Sequence, residues 1–405
     1  MSTGGFSKVR LRRLHDAMAG YVERDEVPGI VTLVSRRGEV HADAVGVLAI
    51  GGRPVRRDTI FRIASLTKPV AAVAAMILVE ECRLRLDEPT DRLLPELAGR
   101  RVLKRLDGPL DDTVPAKRPV TLRDLLTLRF GIGYSPEVAG GWPIQQAFAR
   151  QNILQGPPRP QAVPGPDEWI RRVGTLPLMY QPGERWLYEL GIDVLGVLIA
   201  RVTGQPLETV LQERLFAPLG MRDTGFQVPA AKLDRFASAY MMDPQAKKLG
   251  FFDDAANSRW SKPPPFAAGG SGLVSTVDDF HVFYRMLISR GLHGYGPQKG
   301  ERILARPTVE LMMSDQLTSE QKQGAELFFG HGASWGMGGA VVTRRTDIFA
   351  TPGRFGWDGG YGTSAHLDPA EDMIGILMTQ RMMDSPVAPR VFRDFWTSAY
   401  QAFDD

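Results

Sequence analysis

The sequence predicts an α/β (α+β) protein of two lobes: an antiparallel sheet flanked by terminal helices, and a second lobe that is mainly helical. Strand-like runs occupy both ends of the 405-residue chain, while helical patterns and Pro/Gly-rich loops fill the middle. The first and last segments themselves read as helices. At 43% hydrophobic and 23% charged residues the composition is that of an ordinary globular protein, and this length buries a sizeable core. The economical arrangement joins residues 1–64 and 266–405 in one discontinuous α/β domain and leaves 65–265 as the helical domain. A cleft between two lobes is the default place for a small ligand.

Each element has its own signal. Leu11, Leu14, Met18, Tyr21 and Val22 recur at helical spacing. Gly29–Ile50 reads as a hairpin of β-branched runs that turns near Arg37-Gly38. Phe61–Glu80, FRIASLTKPVAAVAAMILVE, ends a strand and begins an apolar helix. Thr121 with Asp124 resembles a capping box at the start of TLRDLLTL. Gly191–Thr203 is a helix stopped at Gly204, a natural C′ glycine. Thr276–Arg290 is a helix capped by Thr276 and stopped by Gly291. Ser334–Val342, Gly362–Asp368 and Asp372–Gln380 read as strands, the last two joined by a turn at Asp368–Glu371. A closing helix covers Val387–Phe403. The Pro-rich stretch 156–166 reads as a surface loop.

Composition also excludes functions. A net charge of +3, spread along the chain, gives no basic patch for nucleic acid. The single cysteine, Cys82, excludes an internal disulfide and a cysteine-based metal site, and reads as a small buried helical residue. The six histidines (His15, His41, His281, His293, His331, His366) lack ligand spacing, so neither a metal nor a cofactor is expected. His331 and His366 could line the cleft but read better as structural. The N-terminus lacks an apolar signal-peptide core, and the longest apolar run, Pro69–Val79, is too short to span a bilayer. A cytoplasmic protein without membrane or nucleic-acid partners is the expectation. The oligomeric state is not legible.

The chemistry concentrates at Ser65. Helical spacing sets Ser65 and Lys68 side by side. Pro69 fits only in a first helical turn, so Ser65 sits at or next to a helix N-terminus, whose free N–H groups and partial positive charge favour an oxyanion. An amine buried in such an apolar face has reason to be neutral and can accept the serine proton. Read alone, Ser65 is as well explained as a cap and Lys68 as a surface lysine.

The context decides between them. Ser65-Leu-Thr-Lys68 between a strand and a long apolar helix resembles the active-site start of penicillin-recognising serine hydrolases, and the chain resembles their class C β-lactamase-like branch, in particular the family VIII carboxylesterases. Glu184–Gly204, Asp111–Gly133, Ala267–Leu287 and Phe355–Pro369 resemble further family segments, in the family's order. The resemblance implies a β-lactamase/transpeptidase-like fold and an acyl-Ser65 intermediate. It places Tyr188 as the catalytic tyrosine, coupled to Lys68; either of the two serves as the base. It also implies an oxyanion hole from the N–H groups of Ser65 and Gly360. The family's Tyr-x-Asn is here Tyr188-Glu189-Leu190, and its Lys-Thr-Gly is Trp357-Asp358-Gly359. Trp357 supplies no charge for a substrate carboxylate, and Leu190 no amide partner. Both changes point to a neutral, hydrophobic ester as the small-molecule substrate. Gly359 would let that substrate approach the backbone closely, and Tyr134, Trp142 and Phe130 are candidates for an acyl pocket.

Gly332-Ala-Ser334-Trp-Gly336 also matches G-x-S-x-G. A nucleophile elbow needs a helix after the serine, whereas the following GGAVVTRR reads as a strand. The expected activity is therefore that of a serine carboxylesterase acting through Ser65, with weak β-lactam turnover as a side activity. Its rivals are an acyltransferase using the same acyl-enzyme, a β-lactamase or D-amino-acid peptidase, and a non-catalytic binding protein of the same fold.

Overall fold

The computed structural model describes residues 5–134, 141–153, 157–293, 300 and 302–405. Its centre is a seven-stranded antiparallel sheet. We number the strands β1 (Gly29–Arg36), β2 (Glu39–Gly46), β3 (Ala333–Trp335), β4 (Ala340–Val342), β5 (Phe355–Gly359), β6 (Thr363–Asp368) and β7 (Met373–Thr379). Their spatial order is β2-β1-β7-β6-β5-β4-β3, so the two chain ends meet where β1 pairs β7, Ile30 opposite Thr379 through Arg36 opposite Met373.

Side chains alternate across this sheet with the period of two that strands impose. On one face Ile30, Val34, Met373 and Leu377 pack beneath the terminal helices α1 (Lys8–Glu23) and α5 (Arg390–Gln401), together with Leu14, Met18, Phe395 and Trp396. On the other, Val31, Leu33, Ile374, Ile376 and Met378 join a single core that runs into the helical layer. Three helices matter there: α2 (Thr67–Glu80), α3 (Leu190–Thr203) and α4 (Val277–Ile288). α2 is buried along nearly its whole length, as its alanine- and valine-rich sequence demands. The Thr276 hydroxyl accepts Asp279 N–H at the start of α4, and Gly204 ends α3 in the left-handed conformation. Thr121 and Asp124 form the expected capping box on the short helix Leu122–Leu126.

Three sequence expectations need correction. Ser334–Val342 is not one strand but the hairpin β3–β4, because Gly338 turns at φ 84°. A Cβ there would lie 2.4 Å from the Ala72 Cβ of α2, so the hairpin tip can rest on that helix only as glycine. Cys82 lies beyond the end of α2, exposed, with φ 58°, rather than buried on a helix. The middle segment also carries strands: Ala239–Asp243 and Lys248–Asp253 form a separate two-stranded ribbon, and Tyr240 bonds both Gln380 O and Met382 N, just past the end of β7. The division at 64/65 and 265/266 remains a proposal. Within the described residues no single helix is long and apolar enough to cross a membrane; one bent pair, Leu190–Thr203 with Leu207–Leu219, passes by length and composition only.

Candidate active site

Three elements bring the predicted residues together. Ser65 lies in a single 3-10 turn, Ala64–Leu66, that runs directly into α2. Ala64 holds φ 44°, a left-handed conformation that costs a non-glycine residue energy and that clusters at functional sites. β5 is pressed against this turn. A Cβ on Gly359 would stand 2.4 Å from Ile63 O, so only glycine brings the strand this close to the serine. α3 follows Tyr188, which is fixed by two backbone hydrogen bonds of 3.0 Å with Tyr134, one in each direction.

The side chains form a closed triangle. Lys68 is fully buried; its Nζ donates to Ser65 Oγ at 2.9 Å and to Gly270 O at 2.8 Å. Tyr188 OH donates to Ser65 Oγ at 2.8 Å, and Lys68 Nζ stands 4.6 Å from the centre of the Tyr188 ring. A serine hydroxyl both donates and accepts, so its proton can pass to the amine when Lys68 is neutral, or to the phenol oxygen when Tyr188 is a phenolate. Both acceptors lie within the reach that general-base transfer requires. Trp357 completes the group: its Nε1–H donates to Tyr188 OH at 2.7 Å. A donor at that oxygen stabilises negative charge arriving there.

The oxyanion-hole prediction finds open ground. Gly360 follows β5, is exposed, and has nothing within 4 Å of where a Cβ would be. Among the described residues no backbone carbonyl accepts its N–H.

The pocket residues divide. Tyr134 is 39% exposed and meets Phe328 edge-on at 6.2 Å. Trp357 is nearly buried, lies edge-on to Trp335 at 4.9 Å, and is engaged with Tyr188. Leu190 is corrected: it begins α3 wholly inside the main core, where packing against other apolar side chains keeps it from facing a substrate. Phe130 is likewise core. Trp142 precedes the helix Pro143–Gln151 and packs on the core. Among the described residues it has no ring contact with Tyr188 or Trp357. Ser334 is fully buried and donates to Asp315, which leaves no room for a nucleophile elbow. His366 is part-buried against Trp396, far from neutral-pH titration because burial pushes its imidazole well below the ordinary value. No three His, Cys, Asp or Glu among the described residues are grouped to hold a metal.

Sequence reasoning missed three groups. Phe328, in the short helix Glu326–Phe329, lies 5.0 Å from the Tyr188 ring and 6.4 Å from Trp357, and with Trp186 makes an aromatic wall. Glu189 sits at φ 83°, ψ −65°, between the tyrosine and α3. Asp193, one helical turn into α3, is nine-tenths buried and accepts Gly270 N–H at 2.8 Å. Burial, then the nearby Glu189 charge, pushes the Asp193 carboxyl up to about 7. A signal for both acids existed: Glu189 and Asp193 are four residues apart at the start of an otherwise apolar helix.

An antiparallel sheet beside a helical layer, with Ser-x-x-Lys at a helix start and a tyrosine on the serine, defines the class of penicillin-recognising, β-lactamase-fold proteins. The Beta-lactamase family model matches residues 14–393, and the chain belongs to that family. An uncharacterised protein of Mycobacterium tuberculosis is 40% identical over 370 residues, 89% of this chain and 87% of its own. Esterase EstB of Burkholderia gladioli is 32% identical over 384 residues, covering 89% of this chain and 88% of its own. Among solved structures, EstCE1, described as a hydrolase with promiscuous acyltransferase activity, superposes with TM-score 0.79 at 25% identity over 96% of this chain and 98% of its own. These likenesses support a serine hydrolase or acyl-transfer activity.

Proposed function

We propose that the protein is a carboxylesterase of the family VIII type that cleaves neutral, hydrophobic esters through an acyl-Ser65 intermediate. The observation that carries this reading is the Trp357–Tyr188–Ser65 chain of hydrogen bonds. The position at which the resemblance expects a lysine for a substrate carboxylate is filled by an indole that is already spent on the tyrosine. Lys68 as the free amine, or Tyr188 as the phenolate, takes the Ser65 proton as Oγ attacks the ester carbonyl. The carbonyl oxygen gathers charge between the N–H groups of Ser65 and Gly360. Tyr188 returns the proton to the leaving alkoxide, and water repeats the sequence on the acyl-enzyme. Phe328 and Trp357, with the buried Trp186 packed behind Phe328, give the acyl or alcohol group an apolar surface.

The same acyl-enzyme serves a second reading, transfer to an alcohol in place of water, favoured by the promiscuous acyltransferase activity in the description of EstCE1. The test is a series of p-nitrophenyl esters of rising chain length beside a chromogenic cephalosporin, each with and without an added alcohol. Faster turnover of the cephalosporin than of every ester overturns the proposal. Ester product formed with the alcohol moves the assignment to transfer.

A further inference from the structure

A narrow recess of about 60 Å³, open to solvent at its mouth, is lined by Glu189, the neighbour of Tyr188, and Ser271, the neighbour of Gly270. Its walls are apolar: Ile153, Val163, and Trp169 stacked on Phe266 at 4.8 Å, with an interplanar angle of 23°. Its charged lining is two acids and one base. Glu189, next to Tyr188 in sequence, and Asp193 both line it. Among the described residues the Glu189 carboxylate makes no hydrogen bond or ion pair, and of the Asp193 oxygens only Oδ1 accepts one, from Gly270 N–H. Asp193 is nine-tenths buried. The cation beside them is Lys68 on α2, which gives its own hydrogen bonds to Ser65 and Gly270 and none to the two acids. The remaining charge is Arg159, on an exposed residue at the rim, with its guanidinium 5.5 Å above the Phe252 ring.

We propose that this pocket receives a protonated amine on an aromatic or apolar stem, as part of the substrate or the acyl acceptor, and that Glu189 and Asp193 reject carboxylates there. Unpaired carboxylates in an apolar recess are costly to keep, and a cation supplies the partner they lack. The stacked Trp169–Phe266 wall suits the stem. Glu189 reaches the recess because its backbone is held in a sparsely populated conformation, Leu190 N–H bonding back to Tyr188 O at 3.3 Å. The charge selectivity weakens as pH falls, because burial raises both carboxyls, that of Asp193 to about 7. The titratable groups facing that proton are Glu189, Lys68 and, at the rim, Arg159; the Ser271 hydroxyl also lines the recess.

The inference rests on the esterase reading for its place in the reaction, so it is tested by binding, which needs no turnover. Phenethylammonium, hydrocinnamyl alcohol and hydrocinnamate are titrated by calorimetry and ligand-observed NMR into the wild type, Glu189→Gln and Asp193→Asn. The wild type should bind the ammonium ahead of the alcohol, and the alcohol ahead of the carboxylate. A charge-assisted hydrogen bond lost in Glu189→Gln should cut the ammonium-to-carboxylate affinity ratio about tenfold or more. Wild-type binding of the carboxylate as tight as that of the ammonium overturns the proposal without any variant. So does a ratio unchanged in both folded variants. Absence of ester turnover with the binding ratios as expected would sink the esterase reading and leave this one standing.

Discussion

Replacing Trp357 by phenylalanine removes a single N–H from the site. That N–H donates to Tyr188 OH at 2.7 Å, and Tyr188 in turn donates to Ser65 at 2.8 Å. If Tyr188 oxygen gains charge as its proton passes to the leaving alkoxide, the indole bond strengthens along that step and its loss is felt in kcat. A hydrogen bond to a charged group contributes about 1.5–3 kcal/mol. At about 1.4 kcal/mol per tenfold, kcat should fall about 10- to 150-fold. KM for a short neutral ester should move far less, since the phenyl ring keeps most of the apolar surface. Trp335→Phe is the control. It alters the ring that lies edge-on to Trp357 at 4.9 Å, but its own Nε1 bonds Leu126 O and not the triangle. Steady-state kinetics on both variants, with circular dichroism to show that each is folded, decides the matter. A kcat loss in Trp357→Phe no larger than in Trp335→Phe refutes the reasoning, because packing alone would then account for the effect.

Three further outcomes are expected. Ser65→Ala should abolish ester hydrolysis and fluorophosphonate labelling, whereas Ser334→Ala should keep labelling and lose only stability through its buried bond to Asp315; an unlabelled but folded Ser334 variant would reopen the G-x-S-x-G alternative. Lys68→Ala and Tyr188→Phe should each lower turnover about 10²–10⁴-fold, and the double variant should be little worse than the worse single one because both act on the same proton; losses that multiply would mean separate roles. His281 on α4 is buried without a partner at Nε2, and burial, reinforced by Arg285, lowers its pKa to about 4. A depressed pKa favours the fold above the unfolded value near 6.5, so about 3 kcal/mol of stability should be lost as pH falls from 6.5 to 4. His281→Phe should flatten urea-unfolding midpoints across that window, and an unchanged slope would count against the assignment.

What the sequence disclosed was mostly local. The β1–β2 hairpin, the Thr121–Asp124 box, the Gly204 stop and the Ser65–Lys68 start are each encoded within a few residues, where spacing and turn chemistry act directly. Tyr188 and Trp357 came only through the resemblance, since nothing in their neighbours says that residues 169 positions apart share a hydrogen bond. Non-local packing hid the rest. Gly338 looked like one more glycine in a strand until α2 stood behind it. Leu190 looked like a substrate contact because its role was inferred from what it replaced, and a leucine at the first turn of a buried helix is drawn into the core instead. Phe328 sits in a four-residue helix with no periodicity to mark it.

The division of labour across the site follows from where its parts are anchored. Lys68 rides on α2 and Ser65 on the turn that runs into it, both buried, and Tyr188 is pinned by its two backbone bonds to Tyr134. Shifting any of them would disturb the whole core, so proton transfer is bound to the fold. The residues proposed to meet a substrate are anchored differently. Trp357 is a side chain on β5, Glu189 a residue of the strained turn before α3, and Phe328 belongs to a surface helix. Each can change its chemistry while the triangle keeps its geometry. On this view Trp357 does two jobs at one position: it removes the cation that an anionic substrate would need, and it gives the tyrosine the donor that a charged lysine would otherwise supply. The proposed role of Glu189 and Asp193, which line the recess, pushes in the same direction, against carboxylates. Restoring a lysine at 357 alone should therefore win little activity on an anionic cephalosporin, because the two acids remain; Trp357→Lys combined with Glu189→Gln should win more than the sum of the single changes. Measured as kcat/KM ratios of cephalosporin to neutral ester on folded variants, a double variant that merely adds the two single effects would show that residues 357 and 189 judge charge independently.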